Sequence, residues 1–284
     1  MRFATLTING AEQACIRRSD NVWMPLNRIS SEYEGDLLAF IRLGLPKDEM
    51  ENLGRRAMQL ESSVGIHTSE ARFCPPYRHP RKIWGIGLNY GDHAGDLDES
   101  APEQPASFIK GDHTIIGYGD EIVLPDQSKR TTAEAELGLI MGGTQRGVGK
   151  NEALESVFGV CAILDQTAED ILCLNPRFLT RAKNFPSFFS FGPEVVTLDE
   201  FTVEQPLEMI EVATCIDGEQ VRRNTVGNMT HSPANLVSFH SQMMPFYPGD
   251  IISTGTPGAG VLRPGASVEA RIDGLLHLTN TVAS

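Results

Sequence analysis

Glu134 and Glu136 stand two residues apart in Thr131-Thr132-Ala133-Glu134-Ala135-Glu136-Leu137-Gly138-Leu139-Ile140, and Asp165 follows in Cys161-Ala162-Ile163-Leu164-Asp165-Gln166-Thr167. Both segments read as β-strands. Side chains alternate along a strand, so residues two apart share a face at roughly 6.5 to 7 Å, and the two glutamates face one way. The second strand, predicted over residues 158–164, carries no strongly polar side chain, reads as buried on both faces and ends at Asp165. Acids on half-buried strands cost several kcal/mol each unless something pairs with them, and a hard divalent cation is an economical partner for three. The same alternation also fits glutamates on a water-facing side, with Ala133, Ala135 and Leu137 inward. Asp165 is the acid that this blander reading leaves unexplained.

Three other stretches could do chemistry. His93 precedes Asp96 by three residues, a helical spacing at which a carboxylate on one imidazole nitrogen orients the other as a base. Lys183 comes just ahead of the aromatic run Ser187-Phe188-Phe189-Ser190-Phe191, where burial would require nearby anions. Thr254-Gly255-Thr256-Pro257-Gly258 follows a predicted strand and offers hydroxyls and backbone N–H groups to an oxyanion, although a plain turn accounts for it equally well. Gly85-Ile86-Gly87 lacks the third glycine and the helix of a dinucleotide loop, and reads as a strand end.

The elements that position these residues fall into two parts. Residues 1–75 read as a small α+β domain, with strands over 1–16 and 21–26, and helices over 37–45 and 47–60 separated by Pro46. The Pro-rich stretch Cys74 to Pro80 marks the boundary, and residues 76–284 form the main, β-rich domain. Its strands are predicted over 82–88, 106–110, 121–124, 133–141, 158–164 and 251–254. Asp217-Gly218 and Asp273-Gly274 signal hairpins between 209–216 and 220–223, and between 267–272 and 275–279. One clear helix starts with Ser232 as N-cap and Pro233 behind it, and stops near Met244 before Pro245.

Composition narrows the function classes. A chain of 284 residues, 40% hydrophobic and 21% charged, suits a globular enzyme. A formal net charge of -13 disfavours nucleic acid and anionic membrane as partners. Five cysteines without a Cys-x-x-Cys pair read as free thiols in a reducing compartment. With neither an apolar run of about 18 residues nor a charged-then-apolar leader, the cytoplasm is the simplest location.

Taken in order, seven motifs resemble the fumarylacetoacetate hydrolase superfamily. They are Gly87-Leu88-Asn89-Tyr90-Gly91-Asp92-His93, Ser107-Phe108-Ile109-Lys110, Gly119-Asp120-Glu121-Ile122-Val123-Leu124-Pro125, Glu134-Ala135-Glu136-Leu137, Asp165-Gln166-Thr167-Ala168-Glu169-Asp170, Ala182-Lys183-Asn184-Phe185, and the stretch from Pro248 to Pro257. The resemblance spans residues 82–282. It implies an α+β, β-rich fold, a mixed β-sandwich roll behind the small N-terminal domain, commonly in a homodimer. It also implies Glu134, Glu136 and Asp165 as ligands to Mg²⁺ or Mn²⁺, with Ca²⁺ also possible, an all-oxygen set that does not suit zinc.

By the same resemblance the substrate is a small-molecule oxo acid, and the implied reaction is hydrolysis of a C–C bond in a 2,4-dioxo acid or related β-diketone through an enolate that the cation stabilises. His93, oriented by Asp96, activates water; Lys183 offsets the negative charge; Gly255 and Thr256 grip the substrate carboxylate. Decarboxylation of an oxaloacetate-like acid, or isomerisation or hydration of an unsaturated 2-oxo acid, is the alternative at the same site. The chain departs from the pattern at Glu169 and Leu172, where relatives carry an arginine and a glutamine, which leaves Arg177 or Arg181 to meet a substrate carboxylate. The loss of that arginine also sustains a third reading, a catalytically silent metal-binding homologue.

Overall fold

The computed structural model describes residues 1–91 and 102–284. Its strands are β1 (Arg2–Ile8), β2 (Ala11–Arg17), β3 (Val22–Pro25), β4 (Ile66–His67), β5 (Ile83–Gly87), β6 (Ala106–Lys110), β7 (Ile115–Ile116), β8 (Glu121–Ile122), β9 (Thr131–Met141), β10 (Val157–Ala168), β11 (Phe189–Val196), β12 (Glu211–Ile216), β13 (Glu219–Thr225), β14 (Ile251–Ser253), β15 (Ala259–Val261), β16 (Ser267–Ile272) and β17 (Leu278–Val282). A 12-stranded mixed sheet runs β4-β3-β2-β1-β11-β10-β9-β14-β5-β6, with β15 on β9 and β7 on β11, and a second sheet runs β13-β12-β16-β17-β8. This is the β-rich α+β architecture that the sequence implies. β1 pairs antiparallel with β11, Arg2 opposite Val196, so the N-terminal strands and the main sheet share one hydrogen-bonded ladder.

Two hydrophobic cores explain why β9 and β10 are buried along almost their whole length. On one face Ala133, Ala135, Leu137 and Leu139 pack with Val212, Val268 and Ala270 of the second sheet. On the other, Ile140, Cys161 and Ile163 pack with Phe189 and with Leu37, Phe40 and Leu53 of two helices, α1 (Leu37–Ile41) and α2 (Lys47–Gln59). Gly138 makes that second face possible, because a Cβ there would stand 2.5 Å from the Ile163 side chain and 2.8 Å from Cys161 Sγ. Glu134 and Glu136 share this second face. They are therefore not the water-facing positions of a half-exposed strand.

β10 extends through Ala168, four residues past the predicted end, so Asp165 lies inside the strand and not at its terminus. The β-branched Thr167 and its partner Thr132 keep the antiparallel ladder going to the pair Ala168 and Thr131. The first hairpin forms with Asp217 (φ 52°) and Gly218 (φ 82°) in the left-handed turn between β12 and β13, whereas β16 pairs antiparallel with a β17 that begins at Leu278, three residues past the expected start, so Asp273-Gly274 lies in a longer loop. Three further helices are α3 (Glu169–Leu174), α4 (Leu179–Lys183) and α5 (Pro233–Met243). Ser232 caps α5 as its position implies, accepting from the Asn235 amide. Among the described residues, no helix is long and apolar enough to cross a membrane.

Candidate metal centre

The β9 and β10 register sets Glu134 directly opposite Asp165, and Glu136 opposite Ile163. Because side chains repeat every second residue, this single register brings all three acids to one face. Ligand oxygens of Glu134, Glu136 and Asp165 lie within 4.8 Å of one another. The carboxylates are 8%, 1% and 0% exposed, a burial that three mutually repelling acids tolerate only with cationic company.

Two lysines provide part of it. α4 delivers Lys183, whose Nζ donates to Glu134 Oε2 at 2.6 Å and to Asp165 Oδ2 at 2.7 Å. The end of β6 delivers Lys110, which donates to Asp165 Oδ1 and, at 3.2 Å, to the Gln166 carbonyl. Burial alone would depress the Lys183 ammonium, but Asp165, Glu134 and Glu136 outweigh it and hold it above the range of a free lysine. For Lys110 burial wins: it is pulled down to about 8 against the attraction of Asp165, with the Lys183 charge adding to the pull. Lys110 is the residue that sequence reasoning passed over. Its signal was its place on the inward parity of β6, two residues beyond the buried Phe108, where a lysine needs an anion.

Glu136 is held from the other side. Ser253 Oγ donates to Glu136 Oε2 at 2.5 Å, and the Gly255 amide donates to the same oxygen at 2.9 Å. Burial, reinforced by Asp165 and Glu134, nevertheless pushes the Glu136 carboxyl up to about 8 against Lys183 and Ser253. Gly255 has φ 95°, and a Cβ there would stand 2.7 Å from Asn89 Cβ. Asn89, fully buried, fixes this turn by donating to the Thr254 carbonyl at 2.7 Å and to the His231 carbonyl at 3.0 Å while accepting from the His231 amide at 2.8 Å. The Tyr90 hydroxyl next to it is buried without a hydrogen-bond partner among the described residues, and burial together with the Glu136 charge pushes it above the usual phenol range.

The other sequence-derived candidates fall as follows. Gly255 reaches the acids, with its amide spent on Glu136. The Thr256 hydroxyl is turned onto its own loop, donating to the Gly258 carbonyl at 3.1 Å and accepting from the Gly258 amide at 3.1 Å. Arg181 is on the exposed side of α4 and donates to Gln127 Oε1 at 3.2 Å. His93 and Asp96 lie outside the described residues.

The donor chemistry fits a hard divalent cation. Three convergent carboxylates, with neither imidazole nor thiolate among them, are the ligand type of Mg²⁺, Mn²⁺ or Ca²⁺. Lys110 and Lys183 bond Asp165 and Glu134 and neither bonds Glu136, so the third acid is the one left for a cation to balance.

Residues 82–283 match the family described as Fumarylacetoacetate (FAA) hydrolase C-terminal. The human protein named oxaloacetate tautomerase FAHD2B, mitochondrial, is 32% identical over 240 residues, covering 81% of this chain and 75% of its own length. The structure of a fumarylacetoacetate hydrolase from psychrophilic Exiguobacterium antarcticum superposes with a TM-score of 0.84 at 27% identity, covering 100% of this chain and 99% of that one. A 5-carboxymethyl-2-hydroxymuconate delta-isomerase from Mycobacterium smegmatis gives a TM-score of 0.77 at 24% identity over 100% and 98% of the two chains, and shows the shared fold alone.

Proposed function

The chain belongs to the fumarylacetoacetate hydrolase family, and we propose that within it the protein is a divalent-metal-dependent enzyme that cleaves a carbon–carbon bond of a 2,4-dioxo acid by hydrolysis. The observation that carries this reading is the set of three buried acids, Glu134, Glu136 and Asp165, whose oxygens converge within 4.8 Å beside Lys183. These acids would hold Mg²⁺ or Mn²⁺, with Ca²⁺ accepted by the same donors, and the cation would draw electrons from a chelating carbonyl and so stabilise an enolate.

The chain's own residues account for the rest. Lys183 keeps Glu134 and Asp165 oriented and leaves an ammonium at the edge of the acid cluster, where it meets an anionic substrate. Lys110 pins the second oxygen of Asp165 from behind. With all three carboxylates ionised on a divalent cation, two ammonium groups bring the site to one net positive charge, a balance that favours an oxo acid and its enolate. Ser253 and the Gly255 amide hold Glu136 in place. In this reading His93, oriented by Asp96, takes the proton from the attacking water, and Thr256 and Arg181 would meet the substrate by giving up their bonds to Gly258 and Gln127. Assembly as a homodimer in the cytoplasm belongs to the same proposal.

A second reading, keto–enol tautomerisation of a short oxo acid, is favoured by the 32% identity to a protein named an oxaloacetate tautomerase. The two readings part at the fate of the carbon skeleton. Incubating the Mg²⁺ or Mn²⁺ form with acylpyruvates and with oxaloacetate, while following enol absorbance, CO₂ and the cleaved acids, separates them. Stoichiometric release of two acids from an acylpyruvate supports hydrolysis. Enol loss with an intact skeleton overturns it in favour of tautomerisation, and CO₂ release from oxaloacetate would assign decarboxylation.

A further inference from the structure

Lys110 and Lys183 close on different oxygens of Asp165, and each comes from an element with little support of its own. Among the described residues β6 ends the 12-stranded sheet, so one of its edges has no strand beside it. α4 has five residues, well below the length at which a helix holds itself together in water. Two ammonium groups on such supports need a brace from outside.

Asn184 joins the two supports. It follows Lys183 directly in the chain, and its side-chain amide reaches the open edge of β6 on both sides of Lys110. Nδ2 donates to the Ile109 carbonyl at 3.0 Å, and Oδ1 accepts from the Gly111 amide at 2.8 Å. Residues two apart on a strand turn their backbone groups to the same edge, so the amide pairs with β6 as a neighbouring strand would. The second Nδ2 hydrogen goes to the Thr180 carbonyl at 2.9 Å, at the open end of α4, which uses both donors of the amide. The Asn184 main-chain carbonyl accepts in turn from His113 Nε2 at 3.0 Å, in the turn that follows β6. Phe108 ties the same two elements: the Lys183 ammonium stands over its ring, 4.9 Å from the centre, on the inward parity that Phe108 shares with Lys110.

We infer that Asn184 is a positioning residue which, by bracketing Lys110 and anchoring the helical turn that carries Lys183, fixes the two ammonium groups relative to each other around Asp165. Lys183 also bonds Glu134 at 2.6 Å, so the same brace extends to a second acid. The bearing on substrate rests on the metal-centre reading above: the ammonium that meets an anionic substrate stands where Asn184 puts it. A plain stabilising role, one amide tying a loop to a strand, gives a general loosening instead.

Two measurements separate these roles. In protein labelled with ¹⁵N at lysine Nζ and held in chelator at mildly acidic pH, Lys110 and Lys183 should give ammonium signals slow to exchange with water. In Asn184→Ala both should exchange about tenfold faster or more, the factor that one lost hydrogen bond to a local opening supplies. Lys82, largely buried in its own pair with Asp250, should exchange as in the parent. Asn184→Asp keeps the acceptor for Gly111 but turns an acceptor on the Ile109 and Thr180 carbonyls, and should speed the same two signals. Free exchange of both lysines in the wild type, parental exchange in both variants, or equal acceleration of Lys82 overturns the inference. The second measurement is calorimetric titration of the Mn²⁺-saturated protein with oxalate, a planar chelating dianion. Asn184→Ala should weaken oxalate about tenfold, and the same change made in Lys183→Met should cost nothing further, because the residue acts through that lysine. Parental oxalate affinity, or losses that simply add, overturns the link to substrate. A protein that takes up no Mn²⁺ overturns the metal-centre reading, and the exchange measurement in chelator still decides the part of Asn184.

Discussion

Glu134 and Asp165 face each other across one rung of the β9 and β10 ladder, and the Lys183 ammonium spans them at 2.6 and 2.7 Å. Two carboxylates directly opposite on a sheet repel, so the ammonium and the cluster are mutually dependent. Removing Lys183 leaves that repulsion buried. Lys183→Met should destabilise the metal-free protein by about 3 kcal/mol or more, the cost of leaving a buried charge without its partner. Urea unfolding in chelator measures this, and added Mg²⁺ should recover most of the loss. A variant as stable as the parent in chelator would show that the lysine is not balancing the acids.

The isosteric change Glu136→Gln keeps volume and hydrogen-bonding shape while removing one carboxylate. Metal binding and activity should be lost together, and the fold should persist, because burial already disfavours the ionised carboxyl at this position. Titration calorimetry with Mn²⁺ decides it. A variant with parental affinity would remove Glu136 from the ligand set.

How much of this was legible in the chain follows from what a sequence encodes locally. The shared face of Glu134 and Glu136 is a consequence of strand alternation and can be read directly. That Asp165 completes the set depends on the register between two strands, which the motif order suggested and periodicity could not specify. Asp165 sits mid-strand because Thr131 and Thr132 pair with Ala168 and Thr167, a tertiary fact. α3 and α4 have six and five residues, too short for a helical period to show, although α4 carries Lys183. Lys110 and Asn184 reach partners 55 and 75 residues away in sequence, and such contacts leave no local pattern.

The metal-free protein should have a stability minimum near pH 8. Glu136 is raised from 4.5 to about 8 on folding, so between those values the native state holds the extra proton and stability falls as pH rises. Lys110 is lowered from 10.5 to about 8, so between 8 and 10.5 the unfolded state binds more protons and stability rises with pH. The two slopes meet near 8. Chemical denaturation in chelator across pH 5 to 10.5 measures the curve, and Glu136→Gln should erase its acidic limb. A flat profile would contradict the burial argument for both groups.

His93→Ala separates hydrolysis from tautomerisation. If His93 takes the proton from water, the variant should bind metal like the parent and lose C–C cleavage. Single-turnover product analysis with an acylpyruvate checks this, and cleavage at the parental rate would end the assignment of His93.

The support behind Glu136 yields the last prediction. Ser253 Oγ and the Gly255 amide converge on one carboxylate oxygen, Oε2, at 2.5 and 2.9 Å, which leaves Oε1 as the oxygen to face a cation. Groups that orient a ligand in this way typically contribute 10–100-fold to metal affinity. Ser253→Ala removes one donor without disturbing the backbone, so Mn²⁺ affinity should drop by about tenfold while the fold stays intact. Gly255→Ala should do more. Its left-handed φ of 95° and the 2.7 Å approach of a Cβ to Asn89 force the turn to move, which withdraws the amide from Glu136 and disturbs the Asn89 bonds together. The expected order of Mn²⁺ affinity is therefore parent, Ser253→Ala, Gly255→Ala. If Ser253→Ala binds as tightly as the parent while Gly255→Ala binds weakly, the turn's geometry and not the hydrogen bonds to Oε2 sets the site.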